Sequence, residues 1–188
     1  MLGRLLRHVR AGSAKLVIHK KEFSDIPTTI QVMSRCFRDG CHIPDRYTQY
    51  GENLFPAIQW QNLPGETKDT VLIIEDPDAP LPFPFVHAIA YNLGKKTELP
   101  EGAIPNKRDL VQNTSIDSFR IGRNTFWNTI YTGPGPVKGH GPHHYYFQVF
   151  ALDKLLPKCL GTPNRREMIK AMTGHVLAKG CLVGMYEK

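Results

Sequence analysis

At 188 residues and 41% hydrophobic content, the chain is long enough for one domain with a full core, and no apolar run approaches the length of a membrane span. Fifteen prolines and sixteen glycines favour many short elements joined by turns over a helical bundle. The net charge of +7 is front-loaded: six of the 24 basic residues (Arg4, Arg7, Arg10, Lys15, Lys20, Lys21) precede the first acid, Glu22. The rest of the chain is almost neutral, which argues against a nucleic-acid-binding face on the folded body.

The first segment is a basic arm, residues 1–14, preceding a single domain over 15–188. Leu2, Leu5, Leu6 and Val9 share one helical face, with Arg4, Arg7, His8 and Arg10 on the rest, and Gly12-Ser13 ends the segment. So short a helix needs a surface to pack on. That surface is the body or a second subunit (a homodimer) in the preferred reading. An anionic membrane is the second reading and recognition as an organelle-targeting peptide the third. The segment has no continuous apolar core or cleavage motif of a secretory signal, so a cytoplasmic location is expected. Cys36, Cys41, Cys159 and Cys181 form no CxxC pair, and reduced thiols are expected, with a Cys36–Cys41 bridge left open.

Along the body, Lys15–His19, Thr28–Ser34 and Pro56–Trp60 read as strands, with a turn at Arg38-Asp39-Gly40 and Trp60 in the core. Val71-Leu72-Ile73-Ile74-Glu75 reads as a buried central strand that stops at Asp76, because Pro77 cannot donate to a ladder. Phe85–Asn92 is its expected neighbour. Residues 94–128 carry little pattern. Tyr145–Leu152 is strongly β-prone. One helix follows, opened by an Asn164/Glu167 capping box and closed at Gly180, with an apolar stripe of Met168, Ile169, Met172, Val176 and Leu177 and with His175 between them. Cys181–Tyr186 is a last strand.

Three of these segments form a joint pattern. Asp76-Pro77-Asp78-Ala79-Pro80, then His87 on a strand, then the Gly133–Pro142 loop ending in His143-x-Tyr145 resembles the phosphatidylethanolamine-binding protein family, in its bacterial and fungal Raf-kinase-inhibitor-like branch. Arg38-Asp39-Gly40 with Ile43-Pro44, Trp60 and Ala151-Leu152-Asp153 fit the same branch. The chain departs from the pattern at Ala88, where an aromatic is usual and a wider pocket mouth is expected. Departures also occur at Thr125 and Trp127, and in the short Leu81–Pro84 connection. The resemblance implies a mainly β, antiparallel β-sandwich with a C-terminal helix. It also implies a small anion pocket lined by Asp76, Asp78, Pro80, His87, Gly135, Pro136, His143 and Tyr145.

Such a set makes chemical sense for a phosphorylated or otherwise anionic head group such as phosphoethanolamine. Histidines donate to phosphate and charge when an anion arrives, and a glycine loop brings amides close. Carboxylates either hold the histidines or receive an amine. The leading reading is therefore a non-enzymatic binding protein for a small anionic ligand, a pocket and not a reaction centre, with a regulatory partner as an extension. No activated-nucleophile motif and no cofactor motif is present. An acid–base enzyme of small-molecule biosynthesis, a cyclase or isomerase using Asp76, His87 and His143, is the alternative. Protease or kinase inhibition is a further one, and a His87/His143/Asp76 metal set carries the least weight.

Overall fold

The computed structural model describes residues 2–108 and 119–188. Part of the poorly patterned 94–128 stretch lies outside the described residues. Two helices, α1 (Leu2–Leu6) and α2 (Arg165–Met172), accompany strands β1 (Gln31–Ser34), β2 (Cys41–His42), β3 (Ile58–Gln61), β4 (Asp69–Asp76), β5 (Phe85–Tyr91), β6 (Glu98–Leu99), β7 (Arg120–Ile121), β8 (His143–Leu152) and β9 (Val176–Tyr186). They form a three-stranded sheet, β1-β3-β6, and a six-stranded sheet, β2-β9-β8-β4-β5-β7. All pairings between named strands are antiparallel except β2 with β9.

The large sheet is covered on both faces, which explains the unbroken apolar run of β4. Leu72 and Ile74 point to one side with Ala90, Phe147 and Val149, against Val32, Ile58, Trp60 and Leu99 of the small sheet. Val71 and Ile73 point to the other with Ile89, Phe150 and Leu152, against Leu16, Val17, Ile18, Phe23, Met168 and Met172. The sandwich and its mainly β character agree with the sequence reading. Cys36, Cys41, Cys159 and Cys181 are free thiols.

Two elements differ from expectation. Lys15–His19 is not a strand: the chain makes tight 3-10 turns at Ser13–Lys15, Val17–His19 and Lys21–Phe23. Leu16, Val17 and Ile18 are consecutively buried, which a strand with one wet face does not allow. Side chains replace a ladder here. The Val17 and Ile18 amides donate to Glu75 Oε2 and Gln148 Oε1, each at 2.8 Å, and Lys179 Nζ donates to the Ile18 and Phe23 carbonyls. The C-terminal helix is also shorter than read. Asn164 and Glu167 do form the capping box, but α2 stops at Met172, where Thr173 is the cap and Gly174 takes φ 79°. Val176 and Leu177 already belong to β9. His175 sits in the connecting turn, Nδ1 at 3.0 Å from Asp153 Oδ1. Gly180 is mid-strand: a Cβ there would lie 2.0 Å from the Ile30 carbonyl oxygen, so glycine is required by packing and not as a helix stop.

The basic arm lies along the body. Gly12 N donates to the Pro77 carbonyl at 2.9 Å and Ala11 N to that of Ala79 at 3.3 Å, while a Cβ on Gly3 would strike the Lys138 carbonyl. Leu5 and Val9 of the predicted apolar stripe do not make this contact: α1 spans only five residues, and Leu5 is 77% and Val9 46% exposed. Arg10 makes it instead, pairing with Asp78 and donating to the Pro142 carbonyl. Among the described residues, no helix is long and apolar enough to cross a membrane.

Candidate functional site

Strand geometry brings three distant segments to one end of the sandwich. Pro77 ends β4, and the Asp78 and Ala79 amides turn back to donate to Asp76 Oδ1 at 2.7 and 3.2 Å, an Asx turn that fixes the rim. On β8, the period of two points His143 and Tyr145 inward with Phe147 and Val149. On β5, a bulge does the work. Ile74 pairs with Ala88, but Glu75 pairs with Val86, leaving His87 as the extra residue. The bulge turns His87 toward the sandwich side while Val86 packs on the other face.

These residues enclose a hollow of about 360 Å³ lined by Asp76, Pro80, His87, Pro136, His143 and Tyr145, among others. The His87 and Tyr145 rings meet edge to face at 5.1 Å, with Phe85 against His87 at 4.7 Å and Phe126 against Phe85 at 5.0 Å.

The polar atoms divide into two groups. The Asp76–His143 pair is saturated, although the far nitrogen of His140, which stands behind the pair and does not line the hollow, is buried without a partner. Asp76 Oδ2 accepts from His143 Nδ1 at 2.7 Å, and His143 Nε2 lies 2.7 Å from His140 Nδ1. The carboxylate fixes the proton of His143 on Nδ1, so its Nε2 accepts from His140. The other side is open. His87 Nδ1 donates to the Thr132 carbonyl, which leaves Nε2 as a bare lone pair, and that atom is buried without a partner. The Tyr145 hydroxyl is buried too: the Gly135 backbone amide reaches its oxygen, while its proton meets no acceptor. Desolvation holds the His87 pKa below its ordinary value, against the opposing charge of Asp76. Burial, then the charge of Asp76, pushes the Tyr145 phenol well up, so it stays protonated as a donor.

Several expected roles change. Asp78 does not line the hollow: it lies behind the rim, accepting from the His144 amide at 2.8 Å, from His144 Nδ1 at 2.7 Å and from Arg10. Burial opposes its ionisation, but His144 and Arg10 win and hold its pKa below the ordinary value. Both acids therefore hold histidines and the turn, and neither is free to receive an amine. Gly135 is at the hollow, but its missing side chain makes room for Gln49, whose amide nitrogen a Cβ would approach to 2.3 Å. Ala88 is packed in the sandwich core and does not widen the mouth, because the bulge gives that role to His87. Among the described residues no group of three or more His, Cys, Asp or Glu side chains is placed to hold a metal.

Sequence reading missed Gln49, Phe85, Thr125 and Phe126 in the wall, and His140 behind it. His140 had a signal: it lies three residues before His143 in a Gly/Pro loop. The others reach the site only through long-range packing.

Comparison with known proteins agrees with this architecture. The family model described as phosphatidylethanolamine-binding protein matches residues 33–187. A UPF0098 protein of Pyrococcus horikoshii is 42% identical over 156 residues, 83% of this chain and 76% of that protein. Phomoidride biosynthesis cluster protein B of a fungal species is 31% identical over 195 residues, 99% of this chain and 92% of its own. Among solved structures, a phosphatidylethanolamine-binding protein homolog of Chlamydia trachomatis superposes with TM-score 0.73 at 32% identity, covering 85% of this chain and 97% of that one. Escherichia coli YbcL does so with TM-score 0.74 at 26%, covering 85% and 98%. The sandwich, the bulged histidine strand and the matched sequence all lead to one assignment: the chain belongs to the phosphatidylethanolamine-binding protein family.

Proposed function

We propose that the hollow between β4, β5 and β8 binds one small oxyanion, a phosphate monoester or carboxylate head group, and that a proton is taken up on binding. The observation that carries this reading is a pair of buried atoms lining one cavity: His87 Nε2, which has no partner, and Tyr145 Oη, whose proton has no acceptor. Each unpaired buried polar group costs about 1–3 kcal/mol. A ligand oxygen between them relieves both costs. Tyr145 donates to the anion. His87 Nε2 needs a proton in the contact, either its own as imidazolium or one carried on the ligand. A phosphate monoester, with its second pKa at about 6, is suited to sharing that proton. Phe85, Phe126, Leu81 and Val137 give the hollow an apolar wall, which lowers the local dielectric around these bonds.

Calorimetric titration with phenyl phosphate tests the reading. The intact chain should bind one equivalent. Binding by His87→Ala equal to that of the unaltered chain would overturn it.

A second reading, acid–base catalysis in small-molecule biosynthesis, is favoured by the same geometry: a neutral imidazole with a free lone pair stands beside a phenol donor in one hollow. The relative from a phomoidride cluster points the same way. His87 rather than Asp76 would be the base, since both Asp76 oxygens are occupied. Turnover of a pathway intermediate that vanishes in His87→Gln while phosphate binding persists would select this reading.

A further inference from the structure

On the opposite face of β5 from the site is a larger hollow of about 610 Å³. Its walls are apolar: Val86 from β5, Ile169 from α2, Phe83 and the indole of Trp127. Its charged lining is one-sided, with Lys20, Arg123, Arg165 and Arg166 against Glu22. Arg165 is already committed, to the buried Glu75 and to the Lys15 carbonyl. Lys20 and Arg166 have no carboxylate partner among the described residues, and Arg123 lies 5.4 Å from the centre of the Trp127 ring.

Trp127 is presented by a built loop. It is 66% exposed yet takes φ 62°, a left-handed backbone that a bulky residue adopts at a cost. The buried side chain of Asn124 holds that conformation: its Oδ1 accepts from the Phe126 and Asn128 amides, and its Nδ2 donates to the Ile130 carbonyl and to Thr132 Oγ1. An exposed indole, fixed over a hollow and flanked by cations with no carboxylate partner among the described residues, is arranged for a ligand with a hydrocarbon body and a negative end.

We propose that this groove is a second binding site that takes an organic anion of that kind, an aryl or acyl carboxylate. Its body lies between Ile169, Val86, Phe83 and Trp127, and its carboxylate meets Arg166 and Lys20. The two hollows share a partition, because Thr125 lines both and clasps the backbone of Val86, beside His87, through two hydrogen bonds of 2.7 and 3.0 Å. None of the groove's cations lines the first site, so the two proposals fail separately.

The probe is 4-phenylbutyrate, followed by tryptophan fluorescence and calorimetry. Trp60 is buried in the sandwich and supplies a constant background, so Trp127 carries the change. Saturable one-site binding is expected, weakened about tenfold or more in the neutral analogue 4-phenylbutanol. The surface double variant Lys20→Ala/Arg166→Ala should lose about as much, while Tyr145→Phe should bind normally. Equal binding of acid and alcohol, undiminished binding by the double variant, or loss in Tyr145→Phe instead would each overturn the assignment.

Discussion

The two halves of the hollow are built on different terms. On the Asp76–His143 side every oxygen and nitrogen of the pair is engaged, from the Asx turn through to His140. On the His87–Tyr145 side the His87 lone pair and the Tyr145 proton are buried with nothing to bond. The residues most readily picked from sequence as ligand donors, the acids and His143, form the frame. The recognition surface we propose is the side that a stability argument alone would have filled with apolar groups. Buried polar groups in folded proteins are almost always paired, so each exception calls for an explanation, and an arriving ligand supplies one here.

Breaking the frame should have the largest effect. Asp76→Ala strips an acceptor from two amides and from His143, and should cost about 3–5 kcal/mol of stability in urea unfolding. Altering the open side should separate binding from folding. His87→Ala should weaken phenyl phosphate binding by about 10- to 100-fold in calorimetry, with stability changed far less than in Asp76→Ala. Tyr145→Phe removes a buried hydroxyl whose proton has no acceptor. It should leave stability unchanged or raise it by about 1 kcal/mol in thermal or urea unfolding, while weakening binding about tenfold.

The smallest effect is a pH dependence. Because the folded His87 pKa is depressed, the unfolded chain binds a proton that the folded chain refuses once the pH drops below about 6.5. His87 therefore removes stability as the pH falls from there toward its folded pKa, and contributes no slope above it. The stability of His87→Gln relative to the unaltered chain should rise between pH 7.5 and pH 5.

What was legible in the sequence follows period and punctuation. The β4 run, its stop at Pro77 and the inward pair His143/Tyr145 are local signals, and the fold follows them. The bulge that aims His87 has no such signal, since Phe85–Tyr91 reads as a regular strand and only pairing with β4 exposes the extra residue. The tight turns of Val17–His19 depend on Glu75 and Gln148, far away in sequence. The overlong helix was a misread stop: Thr173-Gly174 was the available signal, but the apolar spacing of Val176 and Leu177 continued the helical period by chance into β9. Gln49 and Phe126 lie in stretches without periodicity, and only tertiary packing assigns them to the hollow.

The central claim is that the open half of the hollow recognises an oxyanion by sharing a proton with it. Calorimetry of phenyl phosphate binding at pH 7.5, repeated in buffers of different ionisation enthalpy, tests this most directly. The observed heat should change with the buffer in the sense of proton uptake, approaching about one proton per ligand, and that dependence should vanish with binding in His87→Ala. Tight binding whose heat is the same in every buffer would contradict it.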